Sequence, residues 1–248
     1  SHTLNWPLTG ADEDETVSEV PLVVMASLKS VSSSAVEGLV YHFHDTSFTS
    51  PMRGDCNIND NECLRDNGSN LAAYLYYLMQ KDEKAFRLIE GVVRSVAPYF
   101  KGFKLRPDAN NNNKIRLEWE EKDTDMDLDG YSFSDGTLRF IALATLLLQP
   151  KKPEVIIIDE PELGLHPAAI NKLAEMVKSA SVKSQIILST QSTNLVNCFD
   201  VDDIIVVDRA DSQSVFRHLS GDELKKWMDD YNLTISDLWE KNMIGGQL

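Results

Sequence analysis

The sequence predicts an α/β fold built on a parallel sheet. Three apolar runs carry that prediction: VIII at 155–158, QIIL at 185–188 and DIIVV at 203–207. Each is short and rich in β-branched residues. None alternates with polar residues, so each reads as a strand buried on both faces. Between the first two lies a stretch, 168–179, in which Ile170, Leu173, Ala174 and Val177 keep helical spacing. Strand, helix and strand in that order form the unit from which parallel sheets are made.

The first run organises the rest. It ends in Asp159 and Glu160, followed by Pro161. Adjacent carboxylates at the end of an apolar strand are costly unless a cation, water or substrate uses them. In phosphoryl-transfer ATPases such a pair divides the work: the Asp holds Mg²⁺, and the Glu orients and deprotonates water. The plain alternative is a strand that ends in solvated polar residues.

Composition narrows the classes. The chain has 248 residues, 42% of them hydrophobic, and a formal charge of -15. That balance argues against a broad nucleic-acid surface, which needs clustered Lys and Arg. Cys56, Cys63 and Cys198 are unevenly spaced and form no disulfide framework, which points to a reducing, cytoplasmic setting. Cys56 and Cys63 near His42 and His44 match no standard zinc spacing. No stretch reaches the length of a membrane-spanning helix, and no signal peptide is legible, so no membrane role is expected.

Taken in order, residues 1–38 lack the pattern of an independent domain. They hold an acidic stretch at 10–19, an apolar run at 21–25 that fits a short strand or the opening of a helix, and a Ser-rich linker at 27–34. LVYHF at 39–43 reads as a strand. Its polar end, His44-Asp45-Thr46-Ser47, either faces a ligand or caps a turn, and capping is the commoner use. Residues 57–70 are dense in Asn and Asp and read as a loop, with Ser69 or Asn70 capping a helix through Leu71, Leu75, Leu78 and Met79. A second helix spans about 81–96, and Pro98 ends it. Tyr74, Tyr76, Tyr77, Tyr99 and Phe100 read as helix-packing residues, because a base-stacking platform wants interleaved cations. Strands are expected at 103–105 and 115–119, with Asn110–Asn113 turning between them and an acidic loop at 120–129. The EF-hand spacing is absent from that loop.

SFSDGTLRFIALATLLLQP at 132–150 opens a helix that Pro150 stops. Ser134 or Asp135 is its N-cap. Gly136 leaves room for a close backbone approach. A helix start also offers N–H groups to an anion, although the Asp135 carboxylate would repel a phosphate unless it points away. After QIIL comes Ser189-Thr190-Gln191-Ser192. An edge strand is expected at 214–218 and short helices at 224–227 and 233–239.

SDGT, DEPELGLHP and STQS in this order resemble the ATP-binding-cassette-like ATPases of the RecF and SMC group. From YHFHDTS through NLAAYLY to LWEKNMIGG, most of the chain is similar to a bacterial family of RecF-like AAA ATPases. The resemblance implies a P-loop NTPase, ABC-ATPase-like three-layer sheet with a helical subdomain, incomplete at the N-terminus. It implies an ATPase domain over 39–219 with a helical insert at about 69–100, a helical tail at 220–248 and a trimmed segment at 1–38. Ser134, Asp135, Gly136 and Thr137 look like the signature motif that meets the γ-phosphate of ATP held by a second subunit. Arg139 either neutralises phosphate or braces the helix. Asp159 resembles the Mg²⁺-linked acid and Glu160 the general base. Leu163 to Pro167 resembles the loop at the dimer interface, with His166 a cap or packing residue. Gln191 stands where many cassette ATPases have His. Gln cannot become charged, so its electrostatic contribution is smaller.

The resemblance further implies ATP and Mg²⁺ as cofactors, an ATP-dependent homodimer, and DNA contact only through regions outside this sequence. Roles in DNA repair, DNA-end handling or phage defence follow from it. One departure is large: no G-x-x-x-x-G-K-[ST] occurs anywhere. The cradle for the α- and β-phosphates is therefore missing, and this sequence alone is expected to hydrolyse ATP weakly or not at all. Two other readings remain. A Toprim-like, metal-dependent nuclease would use Asp159, Glu160 and Asp203 or Asp208, but lacks a complete acid set. A non-catalytic scaffold would have lost its phosphate loop.

Overall fold

The computed structural model describes residues 22–26, 38–124, 126–210, 213–219, 222–241 and 243–244. The acidic stretch and the Ser-rich linker expected before residue 38 lie outside them. Eleven strands and seven helices follow in the described residues. They run β1 (Leu22–Ala26), β2 (Gly38–Tyr41), β3 (Cys56–Asn57), α1 (Leu71–Lys81), α2 (Glu83–Val96), β4 (Phe100–Phe103), β5 (Lys114–Ile115), β6 (Glu118–Glu121) and β7 (Asp127–Asp129). Then come α3 (Asp135–Leu148), β8 (Val155–Asp159), α4 (Pro167–Ser181), β9 (Gln185–Thr190), α5 (Thr193–Val196), β10 (Ile204–Ala210), β11 (Gln213–His218), α6 (Asp222–Tyr231) and α7 (Ile235–Glu240).

The main sheet has the order β11-β10-β1-β9-β8-β2. The β-branched run of β8 is central, parallel to β2 on one side and to β9 on the other. The sheet is mixed rather than wholly parallel. β1 runs antiparallel between β9 and β10, and β11 is an antiparallel edge. The apolar run at 21–25 is thus strand rather than helix, over Leu22–Ala26. Register pairs Ile158 with Leu188 and Asp159 with Ser189, so the acid pair and the STQS turn leave the sheet at the same end.

α3 is apolar nearly all round and buried from Leu138 to Leu147, as a helix inside a core must be. It packs between α2 and α4. Tyr74 of α1 donates to Gln149 Oε1 at 2.6 Å and pins α1 to the end of α3. Burial pushes the Tyr74 hydroxyl pKa up to about 12. Asn70 precedes α1 but its side chain makes no cap. Instead it accepts from Arg65 N and donates to the Asp60 and Cys63 carbonyls, tying down the Asn-rich loop.

IRLEW does not form one strand. Lys114–Ile115 pairs with β3, whereas Glu118–Glu121 pairs with β4 and β7. The expected strand at 103–105 sits earlier, over Phe100–Phe103. The acidic loop contains β7, whose Asp127 pairs with Lys104 and Arg106. Trp119 stacks on Phe133 at 4.6 Å, so this small sheet supports the residue just before SDGT. Phe100 and Tyr74 are core, but Tyr77 and Tyr99 are 37% and 40% exposed. At the far end, α7 buries Ile235, Leu238 and Trp239, and Ser236 bonds Asn197.

Candidate active site

β8 delivers Asp159 to the sheet end, and the chain then turns sharply. Glu160 sits at φ 37, in the left-handed region. For a residue with a side chain this costs about 1–2 kcal/mol, so the turn must be held from outside. Glu160 N donates to Ser189 O at 2.9 Å, Leu163 N to Glu160 O at 3.2 Å and Leu165 N to Glu162 O at 2.9 Å.

Side chains complete the joint. Ser189 Oγ donates to Asp159 Oδ1, and Thr190 Oγ1 donates to Glu162 Oε1. Gln191 Nε2 approaches Glu160 Oε1 at 3.5 Å. Each acid of DEPE therefore faces one residue of STQ. His44, at the end of β2, makes a 2.8 Å hydrogen bond to the Asp159 carbonyl. Among the described residues, no Lys, Arg or His forms an ion pair with Asp159, Glu160 or Glu162. Three carboxylates within four residues are left with neutral donors only. Burial, with Glu160 and Asp159 adding to it, pushes the Glu162 carboxyl above the usual range against the pull of Thr190. Its Oε2 is buried and has no hydrogen-bond partner among the described residues.

The second strip of the site is the start of α3. Ser134 is the N-cap and accepts from Thr137 N at 3.2 Å. The Ser134 and Thr137 hydroxyls lie 2.8 Å apart, and Tyr99 OH lies 2.9 Å from Thr137 Oγ1. Asp135 pairs with Arg53 at 2.7 Å. Arg53 is buried and also donates to the carbonyls of Thr46, Gly130 and Phe133. It neutralises the carboxylate that would otherwise repel an anion at this helix start.

Arg139 lies one turn into α3. Its guanidinium is buried and donates to the carbonyls of Phe43, His44 and Leu163. It braces α3, the segment just after β2 and the loop after DEPE. Burial pulls its pKa below the usual arginine value. Gly136 faces the same loop. A Cβ there would meet Gly164 O at 2.3 Å. The close approach that Gly136 permits is thus to the backbone of this chain, and Gly164 takes a φ of 75 to make it. His166 Nδ1 accepts from Ala168 N and caps α4. Asp45 accepts from the backbone and hydroxyl of Ser47, which is the turn-capping role.

SDGT, the loop at 163–166, DEPE and STQS therefore meet around one end of the sheet. Sequence reasoning missed Arg53, Glu162 and the Tyr99 hydroxyl, and placed His44 only within a polar cluster that faces a ligand or caps a turn. Glu162 lies inside the motif already singled out, whereas nothing local marks Arg53. The nuclease acids do not join the cluster: Asp203 accepts from Asp200 N, and Asp208 pairs with Arg217. Among the described residues, no three His, Cys, Asp or Glu are placed to hold a metal by themselves. Among the described residues, no helix is long and apolar enough to cross a membrane.

Residues 44–197 match the family described as "AAA domain, putative AbiEii toxin, Type IV TA system". The chain belongs to this AAA family. The AAA chain is also similar to ABC-type ATPases, as the order of its motifs implied. It is 28% identical to the energy-coupling factor transporter ATP-binding protein EcfA2 of Staphylococcus aureus, over 56% of this chain and 49% of that protein. It is 31% identical to ABC transporter A family member 11 of Dictyostelium discoideum, over 34% of this chain and 9% of that protein. The chain spans less than two thirds of the length of either relative. A solved Smc head domain of Pyrococcus furiosus, bound to the C-terminal domain of ScpA, superposes with a TM-score of 0.49 at 20% identity, over 64% of this chain and 40% of that one. The described residues form an α/β fold on a mixed six-stranded sheet.

Proposed function

We propose that this AAA chain supplies the acid-pair and helix-start parts of an enzyme that hydrolyses ATP with Mg²⁺ in the manner of RecF- and SMC-like ATPases, two copies closing over nucleotide. One observation carries the reading: Asp159 and Glu160 leave the sheet beside Ser189 and Gln191 with no basic side chain paired to them among the described residues. Mg²⁺ keeps several waters and binds through one or two carboxylates plus substrate phosphates. Such a site needs no cage of three protein ligands, and Asp159 is the residue that would hold the ion. When bound, the metal neutralises the charge of the transferring phosphoryl group.

The chain's own residues supply the rest. Glu160 orients the attacking water and takes its proton. Gln191 fixes that water from the end of the neighbouring strand without adding charge. The start of α3 in one copy, with Ser134, Gly136 and Thr137, meets the γ-phosphate held by the other. Asp135 is held aside by Arg53, and Arg139 keeps the interface loop against the helix. This sequence has no G-x-x-x-x-G-K-[ST], so residues other than these grip the α- and β-phosphates. DNA, if contacted, is met by those other residues, because this chain is strongly acidic. The family description names a toxin–antitoxin system, which favours phage defence over DNA repair as the setting.

The test is turnover of the full protein with Glu160→Gln. Loss of a general base lowers kcat by about 10²–10⁴-fold. The variant still binds ATP and elutes as a nucleotide-bound dimer. Unchanged turnover would refute the reading. In a fluorescent-ATP titration, this chain by itself binds weakly, and tight binding would show that the missing cradle is not needed.

A further inference from the structure

We infer that Glu162 is a positioning residue for hydrolysis, which clamps the Ser189–Ser192 turn to the acid turn and so sets Gln191 against Glu160. The inference rests on the ATPase reading above. Its ground is a continuous chain of hydrogen bonds. Glu162 Oε1 accepts from the Thr190 hydroxyl, and the Thr190 side chain is fully buried. The same hydroxyl oxygen accepts from Ser192 N at 3.0 Å. Ser192 Oγ in turn accepts from Leu195 N at 3.3 Å and caps α5. Gln191 sits between the two residues that this chain holds.

The contact that the clamp controls is poised. Gln191 Nε2 and Glu160 Oε1 are 3.5 Å apart, at the limit of a hydrogen bond. Their own interaction is too weak to set the spacing, so the backbone on either side must do it. On the Gln191 side that backbone is anchored through Thr190. On the Glu160 side it turns through a strained left-handed residue, two positions before Glu162. Misplacing a catalytic group by about 1 Å can cost on the order of 10²-fold in rate.

Glu162 is also an expensive choice for a purely structural latch. Its Oε2 is buried without a hydrogen-bond partner among the described residues, and two further carboxylates stand in the same turn. An orphaned buried polar group keeps its desolvation cost unrepaid. The clamp works through hydrogen bonding rather than charge, because Thr190 needs only an acceptor. Gln in place of Glu keeps that acceptor and removes the charge.

The experiment compares wild type, Glu162→Gln, Glu162→Ala and Thr190→Val in the full protein. ATP turnover is read as kcat and KM, and amide exchange is read over residues 186–196. Glu162→Ala and Thr190→Val lower kcat by about tenfold or more with KM for ATP nearly unchanged, the pattern of a loss confined to the transition state. Both speed exchange at Ser192, whereas Glu162→Gln restores slow exchange and most of kcat. Equal damage from Gln and Ala would overturn the inference, as would unchanged kcat in Glu162→Ala or an effect on KM alone. Thr190→Val is nearly isosteric and decides the matter if Glu162→Ala does not fold. Wild-type protein without ATPase activity would refute the functional reading instead, and the exchange data would still test the clamp.

Discussion

Replacing Gly136 with Ala tests why the signature-like motif needs a glycine. The added Cβ would lie 2.3 Å from Gly164 O, and real Cβ atoms keep at least 3.0 Å. The helix and the loop must therefore separate by at least the difference, 0.7 Å. Neither side yields easily. The loop is bonded through Leu163 to the buried Arg139, and the helix start is fixed by the Ser134 cap. Overpacking of this kind costs about 1–3 kcal/mol. At ~2–4 °C per kcal/mol for a chain of this size, Tm should fall by roughly 2–12 °C. The assay is thermal unfolding of the Gly136→Ala variant beside ATP turnover of the full protein. Both should fall together, because the displaced loop is the one proposed to cross the dimer interface. Gly164→Ala, at φ 75, should lose a further ~1–2 kcal/mol of its own. A Gly136→Ala protein with unchanged Tm and lost turnover would refute this reasoning. The glycine would then be reserved for a ligand and not for the Gly164 carbonyl.

Arg53→Met removes donors to three buried carbonyls and leaves Asp135 uncompensated. Asp135 is 68% exposed and adds little, but each orphaned buried carbonyl costs about 1–3 kcal/mol, so at ~2–4 °C per kcal/mol Tm should drop by roughly 6 °C or more, and a shift within error would count against the bracing role. Glu162 predicts a pH dependence. Burial raises its folded pKa, so the folded chain holds that proton more tightly than the unfolded one. The stability this provides is full below the ordinary Glu range, at about pH 4, and is lost as pH rises through the folded value. Glu162→Gln has nothing to lose, so its Tm should match wild type in acid and exceed it increasingly as pH rises. A gap that closes with rising pH would show that Glu162 is ionised in the fold.

What was legible from sequence divides by the range of the physics. Runs such as VIIID and QIILST declare themselves as strands by their short apolar cores, although burial along Gln185–Thr190 alternates and leaves Ile187 only half-buried. Their shared polar ends follow from parallel pairing, which brings Asp159 level with Ser189. The N-caps at Ser134 and His166 are equally local. The reversed β1 in the middle of the sheet was not legible, because five apolar residues carry no sign of strand direction. IRLEW alternates as one strand should, yet its two ends are claimed by different partners, and only the tertiary fold decides that split. Asn70, like Ser69, stands where a helix cap is expected. The loop before it offers three better hydrogen bonds, so the side chain turns away from the helix. Arg53 and Arg139 show the same limit from the other side. Each serves carbonyls scattered along the chain, from 46 to 133 for Arg53 and from 43 to 163 for Arg139. A buried guanidinium gathers distant backbone, and no spacing rule anticipates it. The motifs around the proposed nucleotide are therefore local, and the side chains that fix their mutual geometry are not. That is why the chemistry could be read before the fold, while the means of holding it could not.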